Sequence, residues 1–353
     1  MKIVILGLSI ISSWGNGHAT TYRGLVRELA RRGHQVVFLE RSVPWYTRNR
    51  DLKSLDGVEI NLYESINDLR ERFGATVQNF DVVVVGSYVP EGIAVGEWVV
   101  ATASGVTAFY DIDTPVTLHA LRDDSCFYLG ADLVPAYDVY LSFTGGPVLQ
   151  TLERTYGARR AAPLYCSVDI DLYFPEEAPR RWDLGYLGTY AEDRQFALDE
   201  VLSQLARDQS KRLVVAGPQY PDTIRWPANV ERIEHLAPHQ HRQFYAQQRF
   251  TLNLTRAAMS RSGHSPSVRL FEAAACGVPI ISDAWSGIED FFVSGREILL
   301  ADRPEEVFAI MQGLSEEESN EIGRRARERI LLGHTAVHRA RQFEEIIQRN
   351  AML

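Results

Sequence analysis

The chain is short of cysteine and of positive charge, and each shortage removes a class of function. Only Cys126, Cys166 and Cys276 occur in 353 residues, with no paired spacing, so neither a disulfide framework nor a zinc site is indicated. Basic residues number 37 against 46 acidic, a formal net charge of −9, which leaves no electrostatic footprint for nucleic acid or an anionic membrane. No apolar run reaches the length that spans a bilayer, and repeats and low-complexity tracts are absent. Lys2 and the apolar residues 3–11 have the outline of a secretory leader. No small-residue cleavage site follows them, and Trp14-Gly15-Asn16-Gly17-His18 reads as a loop after a buried strand. The expected setting is the cytoplasm, with no integral membrane segment.

What the chain does have is alternation. Strands are expected at residues 2–8, 35–40, 81–86, 107–110 and 139–142, with an amphipathic helix over 20–32 that Gly33 stops. The 81–86 run is almost pure valine, and strands buried on both faces of a parallel sheet lose the period-2 pattern. A doubly wound α/β domain of Rossmann type follows. A polar, proline-bounded linker is expected over 176–181. A second series comes after it: strand 183–187, helix 191–207, strand 212–216, helix 239–247, and strands 250–254, 278–282 and 298–300. A helix over 335–347 closes the chain. The expected domains are 1–175, 176–334, and a terminal segment 335–353 whose helix crosses back to the first domain. At 353 residues with 45% apolar content, the chain suits two well-filled cores of roughly 170 residues each.

Residues 266–283, Pro-Ser-Val-Arg-Leu-Phe-Glu-Ala-Ala-Ala-Cys-Gly-Val-Pro-Ile-Ile-Ser-Asp, are the most informative stretch. Small and apolar residues make a short buried helix that Gly277 ends. Glu272 is the anomaly, because burying a carboxylate is costly unless something binds it. The vicinal hydroxyls of a nucleotide ribose are one partner; Arg269, or a position at the rim, is the plain alternative.

This stretch resembles the Glu-Ala-x-Ala-x-Gly-x-Pro-Val-Ile signature of GT-B glycosyltransferases, especially family 4. Pro-Ser-x-Arg-Leu-Phe-Glu-Ala-x-Ala-Cys-Gly, with His334-Thr335-Ala336-Val337-His338-Arg339 near the end, is similar to the spore-maturation (CgeB-like) glycosyltransferases. Residues 163–175 resemble the segment that precedes the interdomain linker in family 4. The resemblance implies a GT-B fold, two Rossmann-like doubly wound domains facing across a cleft, with Glu272 binding the donor ribose.

Gly15-Asn16-Gly17-His18 lies between a strand and a helix, where backbone N–H groups and the helix dipole favour an anion or oxyanion. The third glycine of the dinucleotide fingerprint is missing, and Thr20 takes its place. His18 and His34 instead look like the Gly-His…Gly-His opening of family 1 glycosyltransferases, whose first histidine is the catalytic base. A neutral imidazole at His18 is suited to take an acceptor hydroxyl's proton; a local hydrogen bond at a helix start is the bland reading. Such a base wants an orienting carboxylate, and Asp111 and Asp113 follow a strand end. Asp-Ile-Asp could also be read as a metal-binding D-x-D, but the tripeptide recurs at 169–171 and is unspecific.

For the donor phosphates the candidates are Gly17, the loop Gly188-Thr189, and Arg194, Arg256 and Arg269. In family 4 the corresponding loop carries an arginine and a lysine; Arg194 matches the lysine, but Thr189 stands at the arginine position. A second departure is His264, which replaces the first of two glutamates separated by seven residues, so the resemblance to a retaining mechanism weakens. His264 and Glu289 are assigned to the donor site as sugar-contacting or loop-orienting residues. The function expected is metal-independent transfer of a sugar from a nucleoside-diphosphate sugar, UDP-linked by default, to an acceptor hydroxyl, with no cofactor. A 2-epimerase of the same fold and a non-catalytic sugar-nucleotide binder are the alternatives.

Overall fold

The computed structural model describes residues 1–351. The chain folds into two compact units, one of residues 1–166 together with the chain from Ala336, the other of residues 167–335.

The first unit is a seven-stranded sheet, ordered β3-β2-β1-β4-β5-β6-β7. The strands are β1 (Lys2–Gly7), β2 (Gln35–Arg41), β3 (Val58–Tyr63), β4 (Val82–Gly86), β5 (Val106–Asp111), β6 (Val139–Ser142) and β7 (Ala161–Pro163), and every pair is parallel. All five residues of β4 are buried, as they must be in a sheet covered on both faces. The closing helix, Ala336–Ala351, packs on the helix Ala19–Arg31. Ala340, Phe343 and Ile347 supply its buried face. Glu344 receives a two-pronged guanidinium contact from Arg32 at 2.7 and 2.6 Å, and Arg339 donates to the Tyr165 carbonyl at 3.1 Å. Met352 and Leu353, the end of the expected terminal segment, lie outside the described residues.

The second unit is a six-stranded parallel sheet, ordered β10-β9-β8-β11-β12-β13. Its strands are β8 (Trp182–Leu187), β9 (Leu213–Ala216), β10 (Val230–Ile233), β11 (Gln248–Asn253), β12 (Ile280–Ser282) and β13 (Leu299–Leu300). In both sheets the strand order reverses beside the first strand of the unit, which opens a crevice at the carboxyl ends of the strands. The signature helix, Val268–Ala275, is buried along all but its first residue. Phe271 stacks on His334 with ring centres 5.3 Å apart.

Three strands went unforeseen, β3, β7 and β10, and all three are sheet edges. Edge strands carry polar residues or proline and lack the apolar run that marks a central strand. The division of the chain also falls earlier than the break expected after Pro175. Residues 167–175 pack with the second unit: Val168 N donates to His334 O at 3.3 Å, and the buried Tyr173 hydroxyl is 3.0 Å from His241 Nδ1. Among the described residues no helix is long and apolar enough to cross a membrane.

The helix Glu316–Gly333 leans on the turn after the signature helix through Gly323, where an added Cβ would lie 2.2 Å from the Gly277 carbonyl oxygen. Gly323→Ala should therefore lower stability by roughly 1–3 kcal/mol, the usual cost of overpacking, read as a lower urea midpoint.

Candidate active site

In the first unit the polar residues gather at the carboxyl ends of β1, β2, β5 and β6. The loop after β1 is braced by a buried carboxylate. Glu40, at 1% exposure, accepts from Ser9 Oγ at 2.8 Å and from the N–H groups of Ile10 and Ile11 at 2.7 and 3.3 Å. Burial pushes its pKa up, and these donors work against that rise. Arg23 donates to the Ile10 carbonyl at 2.7 Å and pairs with Asp51 at 2.5 Å. Asn16 is buried and spans the loop, donating to Ser9 O at 3.0 Å and accepting from His18 N at 3.3 Å. Gly17 is exposed with open space above it. His18 is the residue that begins the helix Ala19–Arg31, and its ring meets Phe143 edge-on at 5.4 Å.

Asp111 and Asp113 differ sharply. Asp111 is fully buried, accepting from Tyr140 OH at 2.5 Å, Thr117 Oγ1 at 2.8 Å and Asp113 N at 3.1 Å. Both its oxygens are engaged by its own turn and by β6, and burial lifts its pKa to about 6. Asp113 begins the helix Thr114–Arg122 and accepts from Tyr88 OH at 2.7 Å. Tyr88 holds φ +64°, a left-handed conformation that a bulky residue adopts only under constraint.

In the second unit Gly188, Thr189, Arg194 and Arg269 come together after β8. Arg269 is buried; its Nε donates to Leu187 O and its NH1 to Asn253 Oδ1 at 2.8 Å, with the guanidinium 4.6 Å over the Tyr186 ring. Arg194 donates to Thr189 O at 2.7 Å. Arg256 opens the short helix Ala257–Ser262, whose first N–H is capped by Asp193, the neighbour of Arg194, at 2.8 Å. Gly217, after β9, presses so close that a Cβ there would sit 1.9 Å from Gly188 O.

Arg232 and Tyr220 were not anticipated. Arg232 lies over the rings of Tyr220 and Trp226 at 4.3 and 4.9 Å and donates to Val215 O and Gly217 O. Tyr220 donates to Gly188 O at 3.2 Å. Burial, with the Tyr186 phenol nearby, raises the Tyr220 pKa, while the charges of Arg194, Arg232 and Arg269 all pull it the other way. Arg232 belongs to the unrecognised edge strand β10, whose sequence Val-Glu-Arg-Ile has no period-2 alternation to signal it.

Glu272 sits three residues beyond Arg269 on the signature helix and is 4% exposed. Its carboxylate points among Tyr245 OH and His241 Nδ1, both 3.5 Å from Oε2. His264 has φ +47° and pairs through Nδ1 with Asp290 at 2.9 Å, while its N–H donates to Ser286 O at 2.6 Å. Gly287 makes room for that ring, since a Cβ there would lie 2.2 Å from His264 Nδ1. Glu289 is exposed on the turn Ile288–Asp290. Among the described residues no three His, Cys, Asp or Glu side chains cluster as metal ligands.

Residues 194–345 match the glycosyl transferase-like family. No curated protein matches the chain in sequence. Among solved structures the chain is similar to sucrose-phosphate synthase from Thermosynechococcus elongatus, at 13% identity and TM-score 0.73, covering 99% of each chain. HepE of Anabaena, solved with UDP and glucose, is similar at 13% identity and TM-score 0.72, covering 99% of this chain and 100% of that one. An alpha-glucosyltransferase solved with UDP-glucose and abasic DNA shows 13% identity and TM-score 0.77, covering 99% of each.

The buried Asp111 sets a testable pH dependence. Its native pKa of about 6 exceeds the ordinary 3.8, so its contribution to stability is full below pH 4 and lost as pH rises through 6. Urea unfolding should show the wild type losing up to about 3 kcal/mol relative to Asp111→Asn between pH 4 and pH 7. The chain carries a glycosyl transferase-like domain on a GT-B fold.

Proposed function

We propose that the protein transfers a sugar from a nucleoside-diphosphate sugar to an acceptor hydroxyl, as a glycosyltransferase of the CgeB-like or family 4 kind. The observation that carries this reading is the grouping of Arg194, Arg232 and Arg269 at the Gly188–Gly217 turn pair, with Glu272 one helical turn further on. Guanidiniums at the half-buried Gly188-Thr189 turn match a diphosphate, and a buried carboxylate next to them matches a ribose diol. Arg256 adds charge from the adjoining helix start. The donor is taken as UDP-linked, in line with the UDP and UDP-glucose present in the similar structures.

His18 is the base that deprotonates the acceptor hydroxyl, and Asp113 is preferred as its orienting carboxylate because Asp111 has both oxygens engaged by its own turn and by β6. Cations of the protein, not a metal, balance the leaving diphosphate in this scheme. His264, fixed by Asp290, and Glu289 flank the transferred sugar. The acceptor is placed outside nucleic acids because of the −9 net charge.

Two measurements test this. UDP-glucose at roughly 100 Kd should stabilise the protein by about 2.7 kcal/mol, unchanged by EDTA and abolished in Glu272→Ala; no thermal shift with any nucleotide sugar would remove the donor site. His18→Ala should cut kcat about a hundredfold or more while that shift persists, and near-normal turnover would remove the base.

A further inference from the structure

Beside Glu272 lies a cluster that the loop motifs do not use. His241, on the helix Pro238–Ala246, has its Nε2 3.1 Å from the Leu236 carbonyl oxygen. A carbonyl only accepts, so Nε2 carries the first ring proton. Nδ1 faces two groups at once, Tyr173 OH at 3.0 Å and Glu272 Oε2 at 3.5 Å. The Tyr245 hydroxyl approaches the same Oε2 at 3.5 Å. Burial beside Glu272 holds the pKa of Tyr173 and Tyr245 well above the ordinary phenol value, so both remain donors.

Two proton arrangements satisfy this geometry. With His241 neutral, Nδ1 is a lone pair that accepts a hydrogen bond from Tyr173 OH and offers Glu272 nothing. With His241 protonated, Nδ1–H becomes a donor, and the carboxylate is the charged acceptor within reach. The other charged groups near the pair are the guanidiniums of Arg242, which pairs with Glu176 at 2.5 Å, and Arg269, and burial keeps Cys276 a thiol.

We propose that His241 is a positioning residue for Glu272. Neutral, it leaves the carboxylate to accept the vicinal hydroxyls of a nucleotide ribose; protonated, it draws the same carboxylate inward. Ribose binding and protonation of His241 then compete for one group. The inference rests on the donor reading of Glu272.

The test is the Kd of UDP-glucose, which itself has no group titrating between pH 5 and 8, measured by calorimetry across that range for wild type, His241→Gln and Tyr173→Phe. Wild-type affinity should weaken toward acid pH, approaching about tenfold per unit. His241→Gln should lose most of that slope, and since His235 and His264 are present in both proteins the difference belongs to His241. Tyr173→Phe removes the donor that favours the neutral ring and should move the fall in affinity to higher pH. A flat wild-type profile, or one that His241→Gln reproduces, overturns the role of His241 while leaving the donor site intact. Failure of wild type to bind UDP-glucose at pH 8 overturns the donor reading itself, and this inference with it.

Discussion

The second domain's carboxyl edge depends on one buried cation. Arg269 ties the end of β8 to the end of β11 by donating to Leu187 O and Asn253 Oδ1. These partners are neutral dipoles, so they satisfy its hydrogen bonds without cancelling its charge. Burying such a charge is expensive, and a fold that does so keeps a standing positive potential where a low dielectric weakens it least. Asn253 is in turn fixed by Ser282 Oγ at 2.9 Å and Ser267 Oγ at 2.8 Å, so β11, β12 and the signature helix share one network. The positive potential of the edge and the register of its loops thus have a common source.

The first domain solves a different problem with the opposite charge. There a buried carboxylate, Glu40, collects the N–H groups of Ile10 and Ile11 that a loop leaving a strand would otherwise leave unmatched. Arg23 and Asn16 complete the bracing, and His18 emerges from a loop with little freedom of its own. Rigid support of this kind suits the proton transfer proposed for His18, since geometry rather than basicity is the harder quantity to hold.

Central strands were legible because burial on both faces forces a run of apolar residues, as in Val82–Gly86, whereas several helices, among them Ile66–Asn79, Gly92–Thr102 and Glu316–Gly333, were not read. The edges were not legible, because β3, β7 and β10 pair on one side only and tolerate polar residues. The same limit hid Arg232. The signature helix marked Glu272 as an anomalous charge in apolar company, with Arg269 as a candidate phosphate ligand, but their partners come from distant segments. Nothing in the local sequence links Tyr173 or His241 to Glu272, which lies 31 residues beyond His241. Asp111 and Asp113 were indistinguishable as letters; only the fold shows one sealed beneath the turn and the other beside Tyr88.

The closing helix has a consequence for how the chain comes to be folded. Ala340, Phe343 and Ile347 belong to the first unit's core, yet they follow the whole of the second unit in the chain. On the ribosome, the amino-terminal sheet emerges complete while the helix Ala19–Arg31 still lacks its covering partner. The second unit has no such debt and can finish as soon as residue 335 is clear. The order of completion therefore inverts the order of synthesis, and the apolar strip that awaits Ala336–Ala351 stays uncovered until that helix has been made, an interval in which a large nascent chain is prone to misassociate.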